Sequence, residues 1–294
     1  MKLARDTWLI FAHQFKLLLR NPVWVGVGII QPLFYMLLFG PLLRKALELD
    51  PSSGDAHALL GKELMAVYDF KGAERELQHA EALSPNGDYV VAANMAYYMA
   101  VGWPAERALG YARKGRQLDP LNPWAVIHVA QAHWHVHQYD EALIELERVF
   151  EIEPDFWLAH LWRAMILTDL ERYREALPAA LRAVELNQGA DTFALSVLAV
   201  AHINLGEIDE AHAVIARIEA RGVTKGWHVC LALKDYQCAL ADLEQTFAER
   251  DRFFPESLHY RAMLPLHGEP RFQRLVRLVG QERRVEQAAR LNNL

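Results

Sequence analysis

Helical stretches of this chain break off at a fixed interval. Helix-ending prolines or their equivalents fall at Pro51, Pro85, Pro120, Pro154, Gln188 and Gly222, at spacings of 34, 35, 34, 34 and 34 residues. Twelve places before these marks stands a small residue: Ala73, Ala108, Ala142, Ala176 and, displaced by one, Ala211. Matching apolar or small residues return eight places before (Leu77, Leu146, Ala180) and five places before (Ala80, Gly115, Val149, Ala183). Such a period predicts an array of units, none of which can cover its apolar face without a neighbour. Full units are expected at about 54–85, 88–120, 123–154, 157–188 and 191–222, with a degenerate sixth at 224–254. Leu43, Ala46, Leu49 and Pro51 match only the closing turns of a unit, and residues 255–294 are expected to form a capping helix and a basic tail.

The front of the chain follows another pattern. Residues 23–43, VWVGVGIIQPLFYMLLFGPLL, carry no charge. As a helix they would extend about 31 Å, the hydrocarbon thickness of a bilayer, so a transmembrane helix is expected there. In residues 1–22, Trp8, Phe11, Phe15, Leu18 and Leu19 recur at helical spacing, with Arg5, His13, Lys16 and Arg20 interleaved. A basic amphipathic helix in the membrane interface fits this pattern, and so does an ordinary core helix.

With their proline register, the alanines twelve places before it and the Leu60-Gly61 pair, the units resemble the tetratricopeptide repeat. The resemblance implies an all-α fold, a right-handed α-solenoid of antiparallel helix hairpins over residues 44–254, in addition to the N-terminal transmembrane helix. Small residues at the repeating positions would let neighbouring helices approach closely. The resemblance also implies an inner groove lined by the first helix of each unit. By alignment its lining includes Lys62, Met65, Tyr89, Met99, Trp124, Ile127, Gln131, Trp134, Leu158, Met165 and Phe193. A mostly apolar lining with aromatic and Met positions favours an extended or helical peptide with large side chains. The family's clamp for a C-terminal carboxylate needs several Lys, Arg and Asn here, and only Lys62 fits. Packing of Trp124 and Trp134 between helices is the competing reading. The run PLHGEPRFQRLVRLVG is similar to the closing segment of bacterial tetratricopeptide proteins that accompany signalling cyclases, kinases or transcription regulators.

Residues 1 to about 43 resemble the N-terminus of ABC-type exporter permeases, particularly in Arg-Asn-Pro-Val-Trp and Gln-Pro-Leu-Phe-Tyr. They supply one span of a fold that needs six, so transport is not expected. The join inside a repeat suggests a fusion. The implied location is the inner membrane, single-pass. The basic residues before the span favour a cytoplasmic N-terminus with the repeats outside, although reduced cysteines also suit the cytosol.

The 294 residues are 52% hydrophobic with a formal net charge of -6, which excludes a disordered or collagen-like chain. Basic residues gather at both ends, leaving an acidic body that argues against nucleic acid as a partner. His133 and His137 stand four apart between His128 and His135, but no third ligand follows at a known spacing, so no metal is expected. Cys230 and Cys238 on one helix would lie about 12 Å apart, so no disulfide is expected either. Phosphate-cradling, nucleophile-elbow and zinc-protease motifs are all missing, which points away from catalysis, cofactors and small-molecule substrates. The leading reading is a membrane-anchored adaptor for a protein or peptide partner. Its alternatives are a regulatory partner of a separate signalling enzyme and a non-transporting permease fragment fused to repeats.

Overall fold

The computed structural model describes residues 45, 47–101, 105–251, 254–258, 260–282 and 285, and every element of two or more residues among them is helical. Five hairpins follow in order: α1 (Gly54–Ala66) with α2 (Phe70–Leu83), α3 (Asp88–Val101) with α4 (Ala105–Leu118), α5 (Pro123–His135) with α6 (Tyr139–Ile152), α7 (Trp157–Asp169) with α8 (Tyr173–Leu186), and α9 (Thr192–Leu205) with α10 (Ile208–Glu219). A sixth hairpin has a short first arm, α11 (Trp227–Ala232), and a longer second, α12 (Tyr236–Ala248). Then come α13 (Phe254–Ser257), a 3-10 turn η1 (Arg261–Leu266) and α14 (Pro270–Leu278).

One backbone device closes most of these hairpins. After α1, the Asp69 N–H donates to the Leu64 carbonyl and the Tyr68 N–H to that of Met65, both at 2.9 Å. Gln138 to His133, Arg172 to Leu167, Glu207 to His202 and Asp235 to Cys230 repeat the longer bond. Tyr68, His137, Glu171, Gly206 and Lys234 accordingly take left-handed backbone, as a Schellman closure requires. Only Gly206 does so without a Cβ to accommodate. Asp69 and Asp235 then cap the returning helix, each carboxylate accepting the N–H three residues on, from Gly72 and Cys238.

Between the arms, small residues set the spacing. A Cβ added to Gly61 would stand 2.8 Å from Leu77 Cγ and 3.4 Å from the Ala73 carbonyl oxygen. Ala73, Ala108, Ala142, Ala176 and Ala211 are all buried at such contacts. The buried apolar residues form two bodies. One joins α5 to α10 through Leu146, Ile166, Leu195 and Ile218. The other joins Phe70, Val90 and Tyr97 of the first two hairpins to Trp227, Leu240, Phe254 and Phe272 from the far end of the chain. The array therefore curls until its last elements meet its first. Tyr68 stacks on Phe247 at 5.8 Å, and its hydroxyl donates to the Asp251 carbonyl at 2.9 Å. Outside this closure α14 lies against α12, where Arg271 bonds Glu244 twice, at 3.0 and 2.7 Å.

Two expectations are corrected. Among the described residues no helix is long and apolar enough to cross a membrane, which overturns the inner-membrane localisation. The apolar run 23–43 and the basic segment 1–22 lie outside the described residues. Cys230 and Cys238 form a disulfide, with Cα atoms 5.6 Å apart. The 12 Å spacing assumed one continuous helix, whereas the Leu233–Asp235 turn places the two cysteines on the facing arms α11 and α12. Cross-linking so short a loop, with the cysteines 8 positions apart, destabilises the unfolded chain by about 2.5 kcal/mol. Cys238→Ser, or reduction with dithiothreitol, should lower unfolding stability by that amount in denaturant titration, with the far-UV circular dichroism unchanged before the transition.

Candidate functional site

The inner face of the array is where a partner would be expected, and the chain's own segment after α12 crosses it. Arg250 starts the crossing. Its guanidinium lies 5.1 Å over the Tyr68 ring and donates to the Val67 carbonyl at 3.2 Å, beyond the end of α1. Next, α13 packs on α3 and buries Phe254, with Glu256 reaching α5, where His135 Nε2 meets its Oε1 at 2.9 Å. The Tyr260 ring then stands 4.7 Å from Trp134 and 5.8 Å from Trp227, and its hydroxyl donates to Glu256 Oε1 at 3.3 Å. Arg261 finishes the crossing by donating to the Asp169 carbonyl at the end of α7, 3.1 Å away. Met263 and Leu266 of η1 are fully buried.

Desolvation has marked electrostatic effects at this face. The Asp169 carboxyl accepts from Trp134 Nε1 at 2.5 Å; loss of water raises it to about 6, against the opposing pull of that bond and of Arg261. The Tyr260 hydroxyl is pushed well above its usual range by desolvation, reinforced by Glu256 and Asp169. On α5, desolvation lowers His128 to about 4, with Glu256 opposing. At neutral pH the face thus holds a neutral His128 and an ionised Asp169 anchored by an indole N–H.

The groove residues aligned from the sequence are placed unequally. Ile127, Trp134 and Met165 are buried in the core, with Trp134 edge-on to Trp162 at 5.3 Å. Met65 and Leu158 are half-buried against core clusters. Phe193 is half-buried and meets His228 edge-on at 4.8 Å, and Gln131 is also half-buried. Lys62 is exposed, and Trp124 is 50% exposed with its ring edge-on to Phe156 at 5.2 Å. Tyr89 and Met99 belong to α3. Trp134 thus combines packing between helices with a contact across the inner face.

The histidine run is divided among separate partners. His133 meets Gln138 Oε1 at 2.8 Å, His135 meets Glu256, and His137 meets the Tyr139 hydroxyl at 2.8 Å. His133 and His137 do not share a helical face because His137 is the left-handed residue of the turn. Sequence reasoning missed Tyr68, Glu256, Tyr260 and Arg261. None carries a repeat signature, and the only available sign was the dense apolar content of Phe254, Leu258, Met263 and Leu266 in a stretch outside the period.

Comparison with known proteins places the fold. The structure is similar to a tetratricopeptide repeat protein from Parabacteroides merdae, with a TM-score of 0.61 and 14% identity over 90% of this chain and 97% of that one. PilF of Pseudomonas aeruginosa gives 0.51 and 16% over 78% and 98%. TTC0263, a thermophilic tetratricopeptide protein of Thermus thermophilus, gives 0.50 and 18% over 70% and 100%. The fold is that of tetratricopeptide repeat proteins. No protein-family model matches the chain, and no curated protein does.

Asp169 and His128 on this face give opposite pH dependences. Asp169 is raised above its unfolded value, so the folded state binds the extra proton and stability falls as pH rises from about 4 to about 6. His128 is lowered, so the unfolded state binds the extra proton and stability rises between about 4 and 6.5. Asp169→Asn keeps an acceptor for Trp134 and removes only the first effect. Its denaturation midpoint should climb more steeply than that of the parent chain between pH 4 and 6; parallel profiles would refute the assignment.

Proposed function

We propose that this protein is a scaffold that holds a protein partner by a short peptide segment laid along the inner face of its helical hairpins. The observation that carries this reading is the segment already bound there. It has an aromatic anchor, Tyr260, set between Trp134 and Trp227, an acid met by His135 and a base bonded to a helix-end carbonyl. A few desolvated aromatic and Arg contacts usually dominate such recognition, and charge at the rim tunes rate and selectivity. Gln131, Leu158 and Phe193 extend the lining, and Trp124 beside Leu121, 76% exposed, offers an apolar edge. A partner segment of like chemistry competes with the chain's own, so its apparent affinity is reduced by the fraction of time the face is covered.

The test uses a labelled peptide of residues 254–266 and the full chain carrying Tyr260→Ala and Arg261→Ala, with folding checked by circular dichroism. Fluorescence anisotropy should give a dissociation constant on the order of micromolar for this variant, and binding at least about tenfold weaker to the parent chain. Equal binding to both proteins, or none to the variant, would remove the inner-face reading.

A further inference from the structure

Away from the inner face, one group of three metal-ligating side chains occurs among the described residues, in the first hairpin. His57 comes from α1, and Glu76 and His79 from α2, where a spacing of three puts them on one helix face. The ligand atoms of all three lie within 4.8 Å of one another. His57 Nδ1 is 2.7 Å from Glu76 Oε2, and the His57 and His79 ring centroids are 5.4 Å apart. The His57 and Glu76 side chains keep 14% and 24% of their exposure, while His79 is exposed.

The hydrogen-bond chemistry of His57 points to a cation. Its Nε2 faces the Pro51 carbonyl at 3.2 Å, and a carbonyl can only accept, so Nε2 carries the proton. A neutral ring then turns the bare lone pair of Nδ1 toward a carboxylate oxygen that is also an acceptor. A metal-bound histidine has this arrangement: the far nitrogen donates to a carbonyl, which fixes the tautomer and aims the near nitrogen at the metal. An imidazolium ion pair would satisfy the same two contacts but leaves His79 without a role.

We propose that His57, Glu76 and His79 form a binding site for a divalent transition-metal cation of the zinc and cobalt class, joining α1 to α2. Two imidazoles and a carboxylate match the three-ligand sets of zinc, with a fourth position left for water or an outside donor. The mixed nitrogen and oxygen set disfavours calcium and magnesium, which take oxygen ligands, and the lack of a thiolate disfavours copper(I). Zinc bond lengths place neighbouring donor atoms about 3.3 Å apart, between the present extremes, and the exposed His79 ring has room to move inward.

The probe is Co2+ added to the untagged full chain, followed by its visible spectrum and by calorimetry, with Zn2+ as competitor. One equivalent should bind and be displaced by Zn2+. Removing a ligand should cost at least about tenfold in affinity, as losing even an outer-shell partner does. His79→Ala is the decisive variant, because an exposed side chain can be removed without disturbing the fold, and Glu76→Gln checks the carboxylate. Zn2+ should also raise the thermal midpoint of the parent chain and leave that of His79→Ala unmoved. Absence of uptake by the parent chain, or equal uptake by His79→Ala, would overturn the site in favour of a protonated His57 paired with Glu76.

Discussion

A single helix hairpin cannot hide its own apolar stripe, and everything else in this molecule follows from that limitation. Each pair of helices lends its face to the next, which is why Ile127, Leu146, Ile166 and Leu195 form one continuous body instead of separate cores. Stacking alone leaves surplus apolar surface at the inner side and the ends. Here the last elements of the chain meet that surplus: Phe254, Leu258 and Phe272 pack with Val90, Tyr97 and Leu77 of the first hairpins. The fold of a linear repeat thereby acquires contacts between its extremes.

Polar groups on the covered face are handled in a consistent way. Trp134, Asp169, His135, Glu256 and Tyr260, all removed from water there, are joined by hydrogen bonds, as buried polar atoms require. Trp134 supplies the N–H that an ionised Asp169 needs, and Glu256 accepts from both His135 and Tyr260. The chain's own segment is consequently held on this face by ring packing together with directional bonds.

The period was legible because burial at the closest helix approach tolerates only small residues, and Ala73, Ala142 and Ala176 return at the same places in each unit. Turn geometry was not legible. Tyr68, Glu171 and Lys234 bear side chains that disfavour left-handed backbone, so nothing in their identity marks them as turn residues. That concealment misplaced the cysteines, since on one continuous helix Cys230 and Cys238 would stand too far apart to bond, whereas the turn at Lys234 brings them together. It also let His133 and His137 look like a helical pair. The segment from Phe254 to Leu266 obeys no period, so its destination on the inner face could not be inferred from spacing. His57 lies 19 residues from Glu76 and joins it only through the antiparallel register of the first hairpin. The candidate groove was legible as a list of positions on first helices, but how deeply Ile127, Trp134 and Met165 are covered depends on elements from other parts of the chain.

The bond from Tyr68 to Asp251 links residues 183 positions apart. A linear stack of hairpins can peel away from either end, one module after another, because each module is held only by its neighbours. A closed loop of modules has no free end from which to peel, so the first opening event must break distant and local contacts together. Such a molecule melts as one cooperative body and forms slowly, since the longest loop must close before its reward is gained.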